Sequence, residues 1–206
     1  AAKSSNSSSI VVLDVEGADS RDRGRTGKVF ASRCAAFATA LCDALLVNIW
    51  FRDVARAVDS PGSVLLEAVL AETAKALKEE SASKSVLMFV IRDVENISES
   101  VAQECLKTLV GSVENLWEKL KQDVPFEELF DVRVALLPHI RYQKELFDNQ
   151  IANLNADLMS AMTIEMSKGI PADGFSVFAK TVWDTVSSAP VARISGANAS
   201  SDSVLA

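Results

Sequence analysis

The chain reads as an α/β domain, a mostly parallel sheet covered by helices on both faces. Three observations predict it. Short aliphatic, β-branched runs alternate with longer segments in which apolar residues recur every three or four positions. The short runs, Val86-Leu87-Met88-Phe89-Val90-Ile91 being the clearest, are continuous rather than alternating, so both faces are built for burial. Each run leads into charged or polar residues, and parallel sheets bind ligands outside the carboxyl ends of their strands.

Taken in order, residues 1–9 are Ser-rich without apolar period and read as a disordered tail. Ile10-Val11-Val12-Leu13 reads as a buried strand ending at Asp14. Residues 16–28 hold three glycines and many charges, the composition of an exposed loop. Phe30, Cys34, Phe37 and Leu41 then mark an amphipathic helix over about residues 29–42. Residues 44–50 are a second buried strand. Pro61-Gly62-Ser63 opens a helix to about Glu80 with Leu66, Val69, Leu70, Ala74 and Leu77 on its inner face.

Residues 86–91 form a third strand, ending at Arg92-Asp93. Ser98 or Ser100 caps the following helix, Ser100 with Gln103 fitting a capping box, and Val101, Cys105, Leu109, Val113, Leu116 and Leu120 form its buried face. Residues 130–137 are a fourth strand, stopped by Pro138. Phe147, Ile151, Leu154, Leu158 and Met162 recur at helical spacing over about six turns, to about Met166. A Gly-Ile-Pro-Ala-Asp-Gly turn precedes a last helix from about Phe175 to Val186, and residues 187–206 read as a second disordered tail.

Composition narrows the function classes. With 206 residues, 49% apolar and 24% charged, the chain favours one domain with a full core, and it needs no disulfide framework. The net charge of -7 argues against nucleic acid and against electrostatic capture by anionic lipid. One histidine, His139, excludes multi-histidine metal sites. Cys34, Cys42 and Cys105, odd in number and without C-x-x-C spacing, fit a reducing compartment. No apolar stretch is long enough to span a bilayer, and no signal peptide precedes Ile10. Three Asn-x-Ser matches carry little weight in that context.

Chemistry therefore concentrates at the strand ends. Asp14-Val15-Glu16-Gly17 is a D-x-x-G sequence: an Asp there can hold a water of Mg²⁺, and a Gly leaves its N–H free to approach a terminal phosphate. By itself the pattern is more often a plain turn. The Asp93 carboxylate could accept two N–H bonds from one edge of guanine; taken alone, Arg92-Asp93 reads better as a surface ion pair or a helix-start charge. Pro138-His139 either caps a base or simply ends the strand, and a structural role for His139 is as good a reading. Gly24-Arg25-Thr26-Gly27-Lys28 is set aside as a mobile loop, because a phosphate loop needs G-x-x-x-x-G-K-[ST] directly after a strand.

Five segments, VVLDVEGADSRDRG, DALLVNIWFRDV, LMFVIRDV, LFDVRVALLPH and GIPADGFSVF, together resemble the root-hair-defective type of dynamin-superfamily GTPases, atlastin-like proteins of the endoplasmic reticulum. The resemblance runs from about Ile10 to Trp183, and Ile170 to Phe175 separates this type from atlastins proper. It implies a three-layer P-loop NTPase-like G domain over residues 10–186, followed by C-terminal helices. It implies GTP with Mg²⁺: Asp14 holding the metal through water, Gly17 meeting the γ-phosphate, Glu16 in the same motif. Arg92 and Asp93 match the base-reading pair, and Pro138 and His139 the loop near the base. It further implies homodimerisation through the G domain and endoplasmic reticulum membranes as the site of action.

The departures from the pattern are equally specific. The 206 residues contain no G-x-x-x-x-G-K-S, no threonine-bearing switch before Asp14, no strand leading into a phosphate loop, and no helical bundle or membrane hairpin. Arg25-Thr26-Gly27-Lys28 is basic where the family carries an acidic run. Without phosphate-loop backbone and lysine, the chain is expected to be a fragment that does not hydrolyse GTP alone. The alternative from another class is a non-catalytic interaction module that pairs with a full-length G domain.

Overall fold

The computed structural model describes residues 10–15, 26–56, 63–78, 84–162 and 168–188. Among them a three-stranded, wholly parallel sheet forms in the order β1-β2-β3: β1 Ala44–Trp50, β2 Ser85–Arg92 and β3 Phe130–Leu137. Residues Ala44 to Trp50 register against Val86 to Arg92, and Ser85 to Arg92 against Phe130 to Leu137. β2 lies between the other two and is buried along almost its whole length, as its unbroken apolar run requires.

The crossovers follow the predicted alternation. A 3-10 turn over Phe51–Arg56 and helix α2 (Ser63–Lys78) link β1 to β2. Helix α3 (Glu99–Lys119) and the single turn α4 (Phe126–Leu129) link β2 to β3. These elements bury Leu66, Val69, Leu70, Cys105, Leu109, Val113 and Trp117 against Ile49, Leu87, Phe89 and Ile91 on one sheet face. Helix α5 (Lys144–Ala161) covers the opposite face, where Phe147, Leu154 and Leu158 pack on Val86, Met88 and Val90. Arg133 reaches from β3 to Asp157 of α5 and to Asp131, tying that layer to the sheet edge. Helix α1 (Thr26–Leu41) lies along α2 and places Ala35 in the larger core. Helix α6 (Phe175–Ser188) meets α1 through an edge-to-face contact between Phe37 and Trp183 at 5.4 Å.

Several expectations are corrected. Ile10 to Leu13 is not a strand: it joins no sheet, and Val12 is 84% exposed. A β-branched run becomes a strand only when a neighbour satisfies its backbone N–H and C=O groups, and no neighbouring strand among the described residues does so. Thr26, Gly27 and Lys28, placed in the loop, form the first turn of α1, while residues 16–25 lie outside the described residues.

At α3 the cap is Ser98, whose Oγ accepts from Val101 N–H at 3.4 Å. The capping box is absent: Ser100 Oγ pairs with Ser98 Oγ at 3.1 Å, and Gln103 Nε2 donates to Glu99 instead. Trp117 joins the buried face of α3 because its indole N–H reaches the Val124 carbonyl at 2.9 Å, so the ring is buried without losing a hydrogen bond. Helix α5 stops at Ala161, about five turns, and residues 163–167 lie outside the described ones. Ser187 and Ser188, assigned to the tail, end α6. The Leu77 side chain and residues 1–9 and 189–206 also lie outside the described residues.

Candidate functional site

The carboxyl ends of the three strands converge, and β2 supplies the central one. Its last residue, Arg92, is followed by Asp93 at φ 60°, a left-handed conformation that costs a non-glycine residue about 1–2 kcal/mol. The next residue holds that bend in place. Val94 is buried, and its N–H donates to the Leu137 carbonyl at the end of β3 at 3.1 Å. Asp93 is half-buried, and its carboxylate has no hydrogen-bond or ion-pair partner among the described residues. An ionised carboxylate offers only acceptors, so a free one at a strand mouth is suited to a ligand edge carrying two N–H groups. The surface-ion-pair reading of Asp93 finds no partner here.

From β3, Pro138 is fully buried and ends the ladder. His139 is half-buried and begins a tight turn: its carbonyl accepts from Tyr142 N–H at 3.1 Å and from Gln143 N–H at 3.0 Å. Its Nδ1 accepts from the Arg141 N–H at 3.2 Å, which leaves Nε2 as the ring nitrogen that carries the proton. The imidazole lies against the Tyr142 ring at 4.5 Å, and Tyr142 itself is 82% exposed. This loop is thus preshaped by its own backbone and stands beside the Asp93 bend through the Val94–Leu137 bond.

From β1, Trp50 comes up beside Arg92. The Arg92 guanidinium lies over the indole at 4.3 Å, and that of Arg52 approaches the same ring at 5.6 Å. Asp53 pairs with Arg52 at 3.8 Å and with Arg56 at 3.5 Å, so it is not a free acceptor as Asp93 is. Tyr142 was not singled out from sequence, whereas Trp50 falls within Asn48 to Asp53, a strand end the sequence marks for attention, but without a role assigned to it. The available signal for Trp50 was its place at the end of a predicted strand, in register with the residue before Asp93.

The structure brings Arg92, Asp93, Pro138 and His139 together. It does not join Asp14 to them: Asp14 is exposed on the unpaired segment, and Glu16 and Gly17 lie outside the described residues. Among the described residues no cluster of three His, Cys, Asp or Glu side chains gathers that could hold a metal. The described residues therefore do not build a Mg²⁺ site.

Comparison with known proteins bears on the family of the chain. A family model described as the GTPase domain of the root hair defective 3 (RHD3) GTP-binding protein matches residues 1–190, so it includes the first nine residues that the motif resemblance left out. Protein SEY1 homolog of Theileria parva is 31% identical over 191 residues, 89% of this chain and 24% of the relative. Protein SEY1 of Pyricularia oryzae is 31% identical over 196 residues, 86% of this chain and 23% of the relative. The Protein SEY1 homolog of Dictyostelium discoideum is 30% identical over 192 residues, 87% and 21%. The chain thus spans less than a quarter of the length of these relatives. With a match over nearly its whole length, the chain belongs to the RHD3 GTP-binding protein family, within its GTPase domain.

Proposed function

We propose that these residues are the later, base-reading part of a G domain that binds and hydrolyses GTP in a dynamin-like protein shaping or fusing endoplasmic reticulum membranes. The observation that carries it is Asp93, unpartnered at the end of the central strand and braced by Val94 against β3. In this reading the Asp93 carboxylate accepts the N1–H and the 2-amino N–H of guanine. Arg92 stands beside it, and Pro138-His139 closes over the base. In this reading residues 10–186 belong to the three-layer G domain, and α6 runs on to Ser188.

The reading assigns the phosphate end to Asp14, Glu16 and Gly17, with Mg²⁺ held by Asp14 through water. Among the described residues no three His, Cys, Asp or Glu side chains gather around Asp14. The 206 residues carry no G-x-x-x-x-G-K-[ST], so they supply base recognition rather than the backbone cradle for the phosphates. Homodimerisation through the G domain and attachment to the endoplasmic reticulum are properties of the whole protein in this reading. Among the described residues no helix is long and apolar enough to cross a membrane.

The test is Asp93→Asn in the complete polypeptide. An amide presents one N–H edge where the carboxylate presented only acceptors, so guanine preference should fall about ten- to a hundredfold, the discrimination typical of a bidentate base contact. Unchanged guanine selectivity removes Asp93 from its role.

One observation favours the second reading, a non-catalytic module pairing with a full-length G domain. Among the described residues β1 hydrogen-bonds to one neighbour, and Leu46 and Trp50 on it are 46% and 40% exposed. An unpaired edge is a template for another chain. That reading predicts a soluble, cooperatively melting chain that does not bind GTP and that sediments with a full-length partner. A molten, aggregated product counts against it.

A further inference from the structure

Trp50 closes β1 and stands opposite Arg92 in the parallel register. The Arg92 guanidinium lies 4.3 Å from the indole centroid, a cation–π distance. Arg92 Nε is buried and has no hydrogen-bond partner, so on that side the aromatic face takes the place of an acceptor. Arg52 also approaches the ring, at 5.6 Å, but it has an ion pair with Asp53. Trp50 is 40% exposed, more than packing into the core would leave it.

Asp93 is held between two anchors. On one side Val94 N–H is fastened to Leu137; on the other, Arg92 is fastened to Trp50. Between them the backbone sits at φ 60°, a left-handed conformation that aspartate tolerates better than most residues and that the two anchors fix in place. We infer that Trp50 is a positioning residue for the nucleobase site: its indole face clamps Arg92 and so holds the bend that keeps the Asp93 carboxylate unpartnered. The inference rests on the reading of Asp93 as the guanine acceptor.

The test uses the complete polypeptide and compares GTP with ITP, which lacks the 2-amino group. Trp50→Ala should raise KM for GTP about tenfold, lower the GTP-to-ITP ratio of kcat/KM, and leave kcat at saturation within about twofold. Trp50→Phe, which keeps a ring face, should restore most of the loss. Trp50→Leu, which keeps apolar bulk without a π face, should not, and it replaces Trp50→Ala should that variant not accumulate. In an Arg92→Ala background, Trp50→Ala should add little further loss, because the two side chains act as one unit.

A purely structural Trp50 would lower the thermal midpoint and leave the GTP-to-ITP ratio intact. That result, equal behaviour of Phe and Leu at position 50, or full additivity with Arg92→Ala overturns the inference. In parallel, Asp93→Asn separates the two levels. Loss of guanine preference there with no effect at Trp50 ends the inference alone, whereas no loss at Asp93 ends the base-site reading and the inference with it.

Discussion

Two segments of this chain look alike in sequence and differ in structure. Ile10-Val11-Val12-Leu13-Asp14 and Val86-Leu87-Met88-Phe89-Val90-Ile91, followed by Arg92-Asp93, are both continuous apolar runs ending at an aspartate. The second is the central strand, buried throughout and paired on both sides. The first pairs with no strand, and its side chains are from 36% to 84% exposed. Apolar β-branched composition is shared, so it does not decide the outcome. A strand exists where neighbouring backbones accept and donate its hydrogen bonds, and the aspartate at its end becomes a site only when that strand is held.

The comparison is sharpened most by removing core volume from each segment. Phe89 is 1% exposed, and Phe89→Ala should destabilise the chain by about 3–5 kcal/mol, read from denaturant unfolding. Val12→Ala, at a position 84% exposed, should fall within about 0.5 kcal/mol of the parent. A large loss at Val12 would break the contrast and return that run to the core.

The next effect concerns the strained end of β2. Asp93→Gly should relieve the left-handed strain and stabilise the fold by about 1 kcal/mol, while removing the carboxylate proposed to accept from guanine. Stability and base preference moving in opposite directions would mark Asp93 as a residue kept for binding. Asp14→Gly, on the unpaired segment, has no such strain recorded and should leave stability unchanged.

The element after the site offers a finer test. Ser98→Ala should cost about 1 kcal/mol through the lost α3 cap, and Ser100→Ala much less. Equal losses would restore the capping-box expectation.

The smallest effect is a pH dependence from the larger core. Burial pushes the Cys105 thiol up, with neighbouring Glu104 adding to it. The folded chain then keeps the proton that the unfolded chain releases above about pH 8.5, so this contribution to stability is complete below that value and is lost as pH rises through the raised pKa. Cys105→Ala should flatten the alkaline fall in melting temperature slightly. A steeper fall would reverse the sign.

Much of the architecture was legible in the residues. The bounds of β1 and β3 coincide with those read from the apolar runs, and β2 differs by one residue at each end. Leu66, Val69, Leu70 and Ala74 of α2 and Cys105, Leu109, Val113 and Leu116 of α3 are buried where their spacing marks them, while Val101 and Leu120 are half-buried and Thr73 joins the buried set unmarked. Placement of Arg92-Asp93 and Pro138-His139 at adjacent strand ends followed from the parallel order. Three features were not legible, each for a reason outside local sequence. Trp117 is buried because Val124, seven residues on, receives its indole N–H. Ser98 rather than Ser100 caps α3 because the cap is chosen by backbone geometry, φ -145° and ψ 157°, and not by composition. Trp50 meets Arg92 because β1 and β2 align the two.

By itself, then, the sequence determined the order of strands and helices, the buried faces, and which polar residues stand at the strand ends. These follow from periodicity and from the cost of burying unpaired polar groups, both local properties of the chain. Only the tertiary structure decided that Ile10 to Leu13 stays unpaired, that Asp93 bends left-handed with a free carboxylate, and that an indole ring holds the arginine before it. Each of those depends on a neighbour distant in sequence, and the energy of a hydrogen-bond ladder, a strained bend or a cation–π contact exists only once that neighbour is in place.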